Sequence, residues 1–356
     1  MNSYRGVSLT SVLAKVFEFV LLDRILPALS DNNLPQLNQT AYQKGVSCSE
    51  ATFACQETIS KFIREGDSVY SYFYDLASAF DTVEYPVLLH HLDKAGIKAK
   101  LWHLMKHWYS NISHVRISGS TSGEIPISRG VRQGSVLSPV LFLLVMDPVL
   151  LELKSKKCGL NVCGLYLGTF SHADDIRTLS NNVTDCKTQI SDVKKFADSR
   201  GLVLNFNKCE AIVSPSQQSA SSSIISEGVS IPLVDTARCL DAWWTPSLSC
   251  SKWIEINIKK ARRAFFARGQ GVFLGSLNPL SSRSIVESCV MPVLLHGAES
   301  WILNESLLQK LESFQAELVK RILRSSKFSS NKAVKLALKW PSIRARVLCI
   351  KLAFLL

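Results

Sequence analysis

The feature that most restricts the fold is a tight sequence near the middle of the chain, Ser171-His-Ala-Asp-Asp175, flanked by two short apolar segments, residues 164–170 and 176–179. Both segments read as strands. Parallel neighbours need a crossover of a dozen residues or more, so so short a connection imposes an antiparallel hairpin. A second hairpin is expected upstream, where Val115 and Ile117 connect through Gly119-Ser-Thr-Ser-Gly123 to Ile125 and Ile127. Residues 69–74, dense in aromatic side chains, suit another strand that ends in Asp75. The succession β, α, α, β, β with antiparallel hairpins points to an α+β fold and not to a doubly wound parallel sheet.

Helical periodicity accounts for much of the rest. Residues 8–29 form an amphipathic pattern with Val12, Val16, Phe19 and Val20 on one side, expected to end at Pro27. Residues 31–37, rich in Asn and Pro, read as loop. Residues 49–64 give a second helix carrying Phe53, Ile59 and Phe62, closed by Gly66. A third starts at Pro86, presents Leu88, Leu89 and Leu92, and stops at Gly96; residues 102–109 look helical too. Residues 184–200 are expected to form a helix capped by Gly201. Residues 214–226, SPSQQSASSSIIS, are low in complexity and read as a linker. No internal repeat is present. Beyond the linker, residues 251–268 and 306–324 read as long basic helices.

Charge divides the chain at about the same place. Residues 1–250 carry 23 basic and 23 acidic side chains, whereas residues 251–356 carry 18 basic and 6 acidic, so the whole net charge of +12 lies in the last part. A neutral body joined to a basic tail suggests a polyanionic partner. The blander reading is that surface helices carry Lys and Arg for solubility.

Other classes are disfavoured. The longest apolar run, residues 140–146, is far short of the roughly 18–20 residues of a membrane-spanning helix. Arg5, Lys15, Glu18, Asp23 and Arg24 break any signal-peptide h-region, so a soluble, intracellular protein is expected, with no membrane partner. The ten cysteines include no C-x-x-C and read as reduced thiols, mostly buried. His103 and His107 are four residues apart, but no H-E-x-x-H is completed, which favours packing or surface roles over a zinc site.

Three acidic residues stand out by position: Asp75 at a strand end, and Asp174 and Asp175 in the hairpin turn. Carboxylates that converge repel one another and stay ionised only with cations among them. Oxygen-only ligands suit hard Mg²⁺. Two such ions roughly 3.5–4 Å apart can activate an attacking hydroxyl and stabilise a leaving phosphate. Side chains alternate faces along a strand, so Asp174 and Asp175 are not equivalent. An Asp-Asp pair alone is most often a solvated turn. Here, however, Arg129-Gly-Val-Arg-Gln-Gly-Ser-Val-Leu-Ser-Pro139 lies between the acidic sites and precedes an apolar helix, residues 140–151. Its glycines allow close backbone approach, Gln133 offers donor and acceptor, and Arg129 and Arg132 suit phosphates. Pro139 suits a helix start with Ser138 as N-cap; taken alone, the stretch is an ordinary loop and cap.

In this order the segments resemble the reverse transcriptase domain of non-LTR (LINE-type) retrotransposons. Tyr4-Arg-Gly-Val-Ser-Leu9 looks like the first fingers motif and Gln39-Thr-Ala-Tyr-Gln-Lys-Gly45 resembles the second. Tyr74-Asp-Leu-Ala-Ser-Ala-Phe-Asp-Thr-Val83 is similar to motif A, residues 130–139 to motif B, His172-Ala-Asp-Asp175 to the xADD box of motif C, and residues 196–210 to motif D. The resemblance runs from about residue 4 to residue 213. It departs at His172, where Tyr or Phe is commoner. It departs again at Arg238-Cys-Leu-Asp-Ala-Trp-Trp244, where Asp241 replaces the glycine of a Tyr-Leu-Gly turn.

The resemblance implies a right-hand polymerase, an α+β fold with an antiparallel-sheet palm flanked by helices. It allots residues 1–66 to partial fingers, 67–213 to the palm with motifs A to D and 214–226 to the Ser-rich linker. Residues 227–250 become a primer-grip-like hairpin and 251–356 an all-α basic thumb and C-terminal region. It makes Asp75, Asp174 and Asp175 the ligands of two Mg²⁺ ions, and Lys208 the general acid for pyrophosphate. Phe80 becomes the steric gate against a ribose 2′-hydroxyl, Gln133 and Gly134 the lining of the nucleotide pocket, and Arg5 a triphosphate contact. Lys259, Lys260, Arg262, Arg263 and Arg268 would grip a template–primer duplex. The implied partners are an RNA template, a DNA primer and dNTPs, and the implied reaction is RNA-directed DNA synthesis. Because the chain begins almost at the first fingers motif, truncation at the N-terminus is expected. The other reading is a catalytically inactive retroelement fragment that only binds nucleic acid.

Overall fold

Four strands build one antiparallel sheet: β1 (Val69–Tyr74), β2 (Thr169–His172), β3 (Asp175–Ser180) and β4 (Glu210–Ser214), in the spatial order β4-β1-β3-β2. The computed structural model describes residues 9–36, 38–43, 45–114, 116–215, 223–240, 242–268 and 277–356. The chain divides into two units, Met1–Leu240 and Asp241–Leu356.

In the first unit the sheet is buried on both faces, which explains why β1 reads as a near-continuous run of apolar and aromatic residues, VYSYFY, while β3, DIRTLS, buries Arg177, Thr178 and Ser180 as well. Along β1 the period of two sends Tyr70, Tyr72 and Tyr74 toward one apolar cluster. That cluster includes Phe142 and Val145 of the helix Ser138–Ser155, and Ile190 and Val193 of the helix Val183–Asp198. On the opposite face the buried Arg177 guanidinium lies over the Phe73 ring, 4.6 Å from its centroid. The helix Cys48–Arg64 opens with a capping box between Ser47 and Glu50.

Local signals placed β1 and the helices 48–64, 85–94, 138–155, 183–198, 251–268 and 305–322 to within about four residues, while nothing local announced β4 or the helices 279–289, 331–337 and 343–355; the other differences have physical causes. The first helix runs Val12–Asp31, through Pro27. Pro27 and Asp23, whose carbonyl loses its helical partner, are both exposed, so water can serve that carbonyl; meanwhile burial of Leu21, Ile25 and Leu29 at spacings of four holds the helix together. The segment expected as one strand over 164–170 is two, because Leu165–Tyr166 turns back on Asn161–Val162 before β2 begins. Ser138 is the first helical residue, not the N-cap, and Leu137 precedes it in helical conformation with no side-chain cap. The expected upstream hairpin is present as two short ladders, 111–113 with 125–127 and 116–117 with 120–121. Residues 223–226, assigned by composition to the linker, form a strand paired with 229–232, since Ile224 and Ile231 find a place in the core.

The second unit is helical from Ser251 onward: Ser251–Arg268, Pro279–Cys289, Met291–Leu294, Glu305–Ile322, Asn331–Ala337 and Ile343–Leu355. Trp301 is fully buried against Trp253, ring centroids 6.3 Å apart. Gly297 sits at φ 80° where a Cβ would meet the Trp253 ring at 2.0 Å, so that tryptophan requires a glycine there. Lys259, Lys260 and Arg263 are exposed, and Arg262 is engaged by Glu317 at 2.8 Å and lies over Phe314. The Arg268 side chain, Arg5 and Asp241 lie outside the described residues. No disulfide forms among the described residues, and half of the cysteines are buried. None of the described helices is long and apolar enough to cross a membrane.

Candidate active site

The site grows from register. β1 and β3 pair with Tyr74 opposite Ile176, so Asp75 directly follows the end of β1, on the side of the sheet where Asp175 begins β3. His172 of β2 pairs in turn with Asp175, which leaves Ala173 and Asp174 as a two-residue turn. Ala173 adopts φ 57°, in the left-handed region, a strained choice for a residue with a Cβ.

That turn is held by a residue that belongs to the 39–45 motif but has no individual role in the sequence reading. Gln39 is fully buried; its Oε1 accepts the Ala173 N–H at 2.9 Å and its Nε2 donates to Ser171 Oγ at 3.1 Å. Backbone bonds flank it, Thr40 N–H to Ser171 O and Ser171 N–H to Asn38 O, each at 2.9 Å. Thr40 Oγ1 also lies 3.2 Å from His172 Nδ1. His172 therefore has a polar neighbour that a phenylalanine could not use. Two residues on, burial and the nearby Asp174 charge, in that order, push the Tyr42 phenol above its ordinary pKa. The motif 39–45 was legible as a motif; that it clamps the turn was not.

Residues 203–208 dock on the other side. Ala77 N–H bonds Val203 O and Asn205 N–H bonds Asp75 O, both at 2.8 Å, which brings the Lys208 ammonium to 3.7 Å from Asp75 Oδ2. Lys208 is 68 % exposed and Asp75 37 %, so the pair faces solvent and is worth little to stability.

The loop 129–137 closes against motif A. Gly130 donates to Val83 O at 2.7 Å with φ 94°, and a Cβ there would stand 3.1 Å from Asp81 O. Val131 N–H bonds Phe80 O at 2.8 Å, and the Phe80 ring stacks on Phe142, centroids 4.4 Å apart. Gln133 Nε2 donates to Asp81 Oδ1 at 3.0 Å, and Gly134 has φ 102°. Arg132, read as a phosphate contact, instead donates to Trp108 O at 3.2 Å and covers the Trp108 ring; Arg129 is exposed. Glu18, fully buried in the first helix, accepts Val136 N–H at 2.8 Å. No local signal marked Glu18, since its partner is 118 residues away.

The donor chemistry fits hard divalent cations in part. Asp75, Asp174 and Asp175 offer oxygen ligands, and all three reach solvent. Among the described residues no group of three or more His, Cys, Asp or Glu side chains is gathered as a metal cluster, so the expected three-carboxylate convergence is not formed. Mg²⁺ does not require one, because it commonly binds through one or two carboxylates plus water and substrate phosphates.

An antiparallel sheet with an aspartate just past one strand end and a carboxylate-bearing turn on the neighbouring strands, with a glycine loop and a lysine nearby, has the layout of a polymerase palm. Residues 1–225 match the family model described as reverse transcriptase (RNA-dependent DNA polymerase). The chain belongs to that family. It is 25 % identical over 341 residues to the retrovirus-related Pol polyprotein from type-1 retrotransposable element R2 of Popillia japonica, covering 90 % of this chain and 45 % of that one. It is 23 % identical over 357 residues to the RNA-directed DNA polymerase from mobile element jockey of Drosophila melanogaster, covering 96 % and 38 %. The chain thus spans less than half the length of these relatives. The solved telomerase of Candida albicans, in complex with a fragment of telomeric RNA, aligns with a TM-score of 0.48 at 11 % identity over 92 % of this chain and 54 % of that one. The resemblance to non-LTR retrotransposon reverse transcriptases therefore holds across most of the chain.

Proposed function

We propose that this chain performs RNA-directed DNA synthesis, extending a DNA primer on an RNA template by phosphoryl transfer from dNTPs. The observation that carries the reading is the register of β1 and β3, which puts the end of β1, with Asp75 just past it, beside the start of β3 at Asp175, and leaves Lys208 beside Asp75.

Asp75 and Asp174, with Asp175 at the edge, would hold two Mg²⁺ ions. Bound there, divalent cations supply charge neutralisation at the triphosphate and a more acidic 3′-hydroxyl. The protein's share is mostly positioning. Gln39 fixes the turn that carries Asp174. Lys208 is placed to give a proton to the departing pyrophosphate. Phe80, backed by Phe142, would occupy the space of a ribose 2′-hydroxyl, and Gln133 and Gly134 would line the nucleotide pocket. Arg5 would add a triphosphate contact. Residues 1–66 would serve as partial fingers, 67–213 as the palm, 227–250 as the primer-grip hairpin and 251–356 as a thumb. There Lys259, Lys260 and Arg263, together with Arg262 and Arg268, would hold the duplex backbone.

Primer extension by the purified chain on an RNA template, with Mg²⁺ and dNTPs, tests the reading. Asp75→Asn and Asp174→Asn should each abolish extension while leaving the thermal transition intact. A folded wild-type chain that extends nothing would leave the inactive, nucleic-acid-binding fragment as the correct reading.

A further inference from the structure

A groove of about 810 Å³ opens along the helices Tyr85–Lys94 and Ala99–Trp108, within the range typical of ligand sites. Tyr85, Leu89, Trp102 and Tyr109 line it, with Lys98 and Lys106 also at its wall. None of these residues has a role in the polymerase reading.

Its aromatic lining is fixed before any ligand arrives. The Trp102 indole donates to Leu89 O at 3.0 Å, and the Tyr85 and Tyr109 rings meet edge to face at 5.3 Å. Tyr109 is buried and backs Tyr85, while Tyr85 and Trp102 are half-buried, and rigid rings so placed lose little entropy when a flat ligand stacks on them. The lysines supply the complementary charge. Lys106 Nζ stands 5.6 Å from the centre of the Trp102 ring. Among the described residues neither Lys98 nor Lys106 pairs with a carboxylate.

The sequence around the groove is unusual for this chain. Residues 1–250 are balanced in charge, yet residues 94–123 contain no Asp or Glu while carrying five Lys or Arg and three His. The single carboxylate at the groove is Asp93. A flat apolar floor with cations at its edge matches a ligand that alternates π-faces with negative charges. Single strands offer this, because their bases are free to unstack onto aromatic side chains while their phosphates reach the lysines. A duplex hides its π-faces, and an acidic peptide has no use for the aromatic floor.

We propose that this groove is a second nucleic-acid site that takes single-stranded RNA or DNA through base stacking on Tyr85 and Trp102 and phosphate contacts to Lys98 and Lys106. It requires no polymerase activity and stands or falls apart from that reading.

The test uses the full chain and fluorescence anisotropy with a fluorescein-labelled 12-nucleotide RNA. Lys98→Glu/Lys106→Glu should weaken binding of this strand by about tenfold or more and lower its salt slope by roughly 1.4, the share of two single-strand phosphates. Affinity for a blunt RNA–DNA duplex should change less than about twofold, and the melting temperature should not move. Trp102→Leu should weaken the RNA but not heparin, a polyanion without bases. RNA containing 4-thiouridine should crosslink within residues 85–110, a readout that does not depend on how Trp102→Leu folds. Wild-type affinity in the charge-reversed variant, or crosslinks confined to other segments, overturns the proposal. So does an equal loss of heparin and RNA in the charge-reversed variant with no effect of Trp102→Leu, which would reduce the groove to bare charge.

Discussion

Gln39 Oε1 accepts the backbone N–H of Ala173, joining a residue near the start of the chain to the turn that carries Asp174, 134 positions later. The same side chain donates to Ser171 Oγ, so one buried amide spans the turn's strand and its strained residue. Gln39→Leu would leave the Ala173 N–H buried and unpaired, costing about 1–3 kcal/mol. Because small displacements at a reacting centre cost about 10²-fold, single-turnover primer extension should slow by that order with little change in KM for dNTP. Gln39→Glu, which keeps the acceptor and gives up the donor, should fall between the two. An unchanged turnover rate in the leucine variant would remove Gln39 from the site.

Lys208 stands 3.7 Å from Asp75 Oδ2 on a segment tied to motif A by backbone bonds. A positioned general acid contributes about 10²–10⁴-fold. Lys208→Ala should slow extension by at least the lower figure. Lys208→Arg keeps the charge but holds its proton at any working pH, so it should be as slow as the alanine variant. Wild-type speed in the arginine variant would show that charge alone is needed.

Phe80, proposed as the steric gate, stacks on Phe142, which is fully buried. Phe80→Val should raise incorporation of ribonucleotides relative to deoxyribonucleotides by roughly tenfold or more while dNTP extension continues. Competition between rNTP and dNTP on one template reads the ratio, and an unchanged ratio moves the gate elsewhere.

Asp147 is fully buried in the helix Ser138–Ser155, where burial raises its carboxyl pKa to about 7 against the opposing bond from Gln36 N–H at 2.8 Å. A carboxyl that is harder to ionise folded than unfolded binds more protons in the native state. Its contribution is therefore intact below the unfolded value near 3.9 and is lost as pH rises toward 7. Asp147→Asn cannot ionise, so its melting temperature relative to wild type should climb between pH 5 and pH 8. A difference that stays flat over that range would contradict the buried, late-titrating carboxyl.

On the helix Ser251–Arg268, Lys259, Lys260 and Arg263 are exposed, while Arg262 is already engaged by Glu317. Neutralising the first three should reduce the salt slope of duplex binding by roughly 2–3, and Arg262→Ala alone should change it least. Isothermal binding across a salt series checks both. An unaltered slope in the triple variant would take the helix off the duplex.

How legible the protein was depended on the range over which each feature is determined. Strand β1, the helix 48–64 and the 172–175 hairpin could be read directly, because aromatic density, apolar spacing closed by a glycine, and a connection too short for a crossover are local. Pro27 misled for the same reason: a local breaker signal took no account of Leu29, whose burial is a tertiary event. Residues 223–226 likewise read as linker until Ile224 had a core to enter.

By itself, the order of residues determined the antiparallel sheet, the acidic positions and the separation of a balanced body from a basic tail, since periodicity, turn chemistry and charge are carried by neighbours. Only the tertiary structure decided that Gln39 and Glu18 brace distant loops, that Arg132 belongs to Trp108, and that no cluster of three acids forms among the described residues. Those outcomes depend on which side chains meet across more than a hundred residues, and burial, not sequence proximity, selects them.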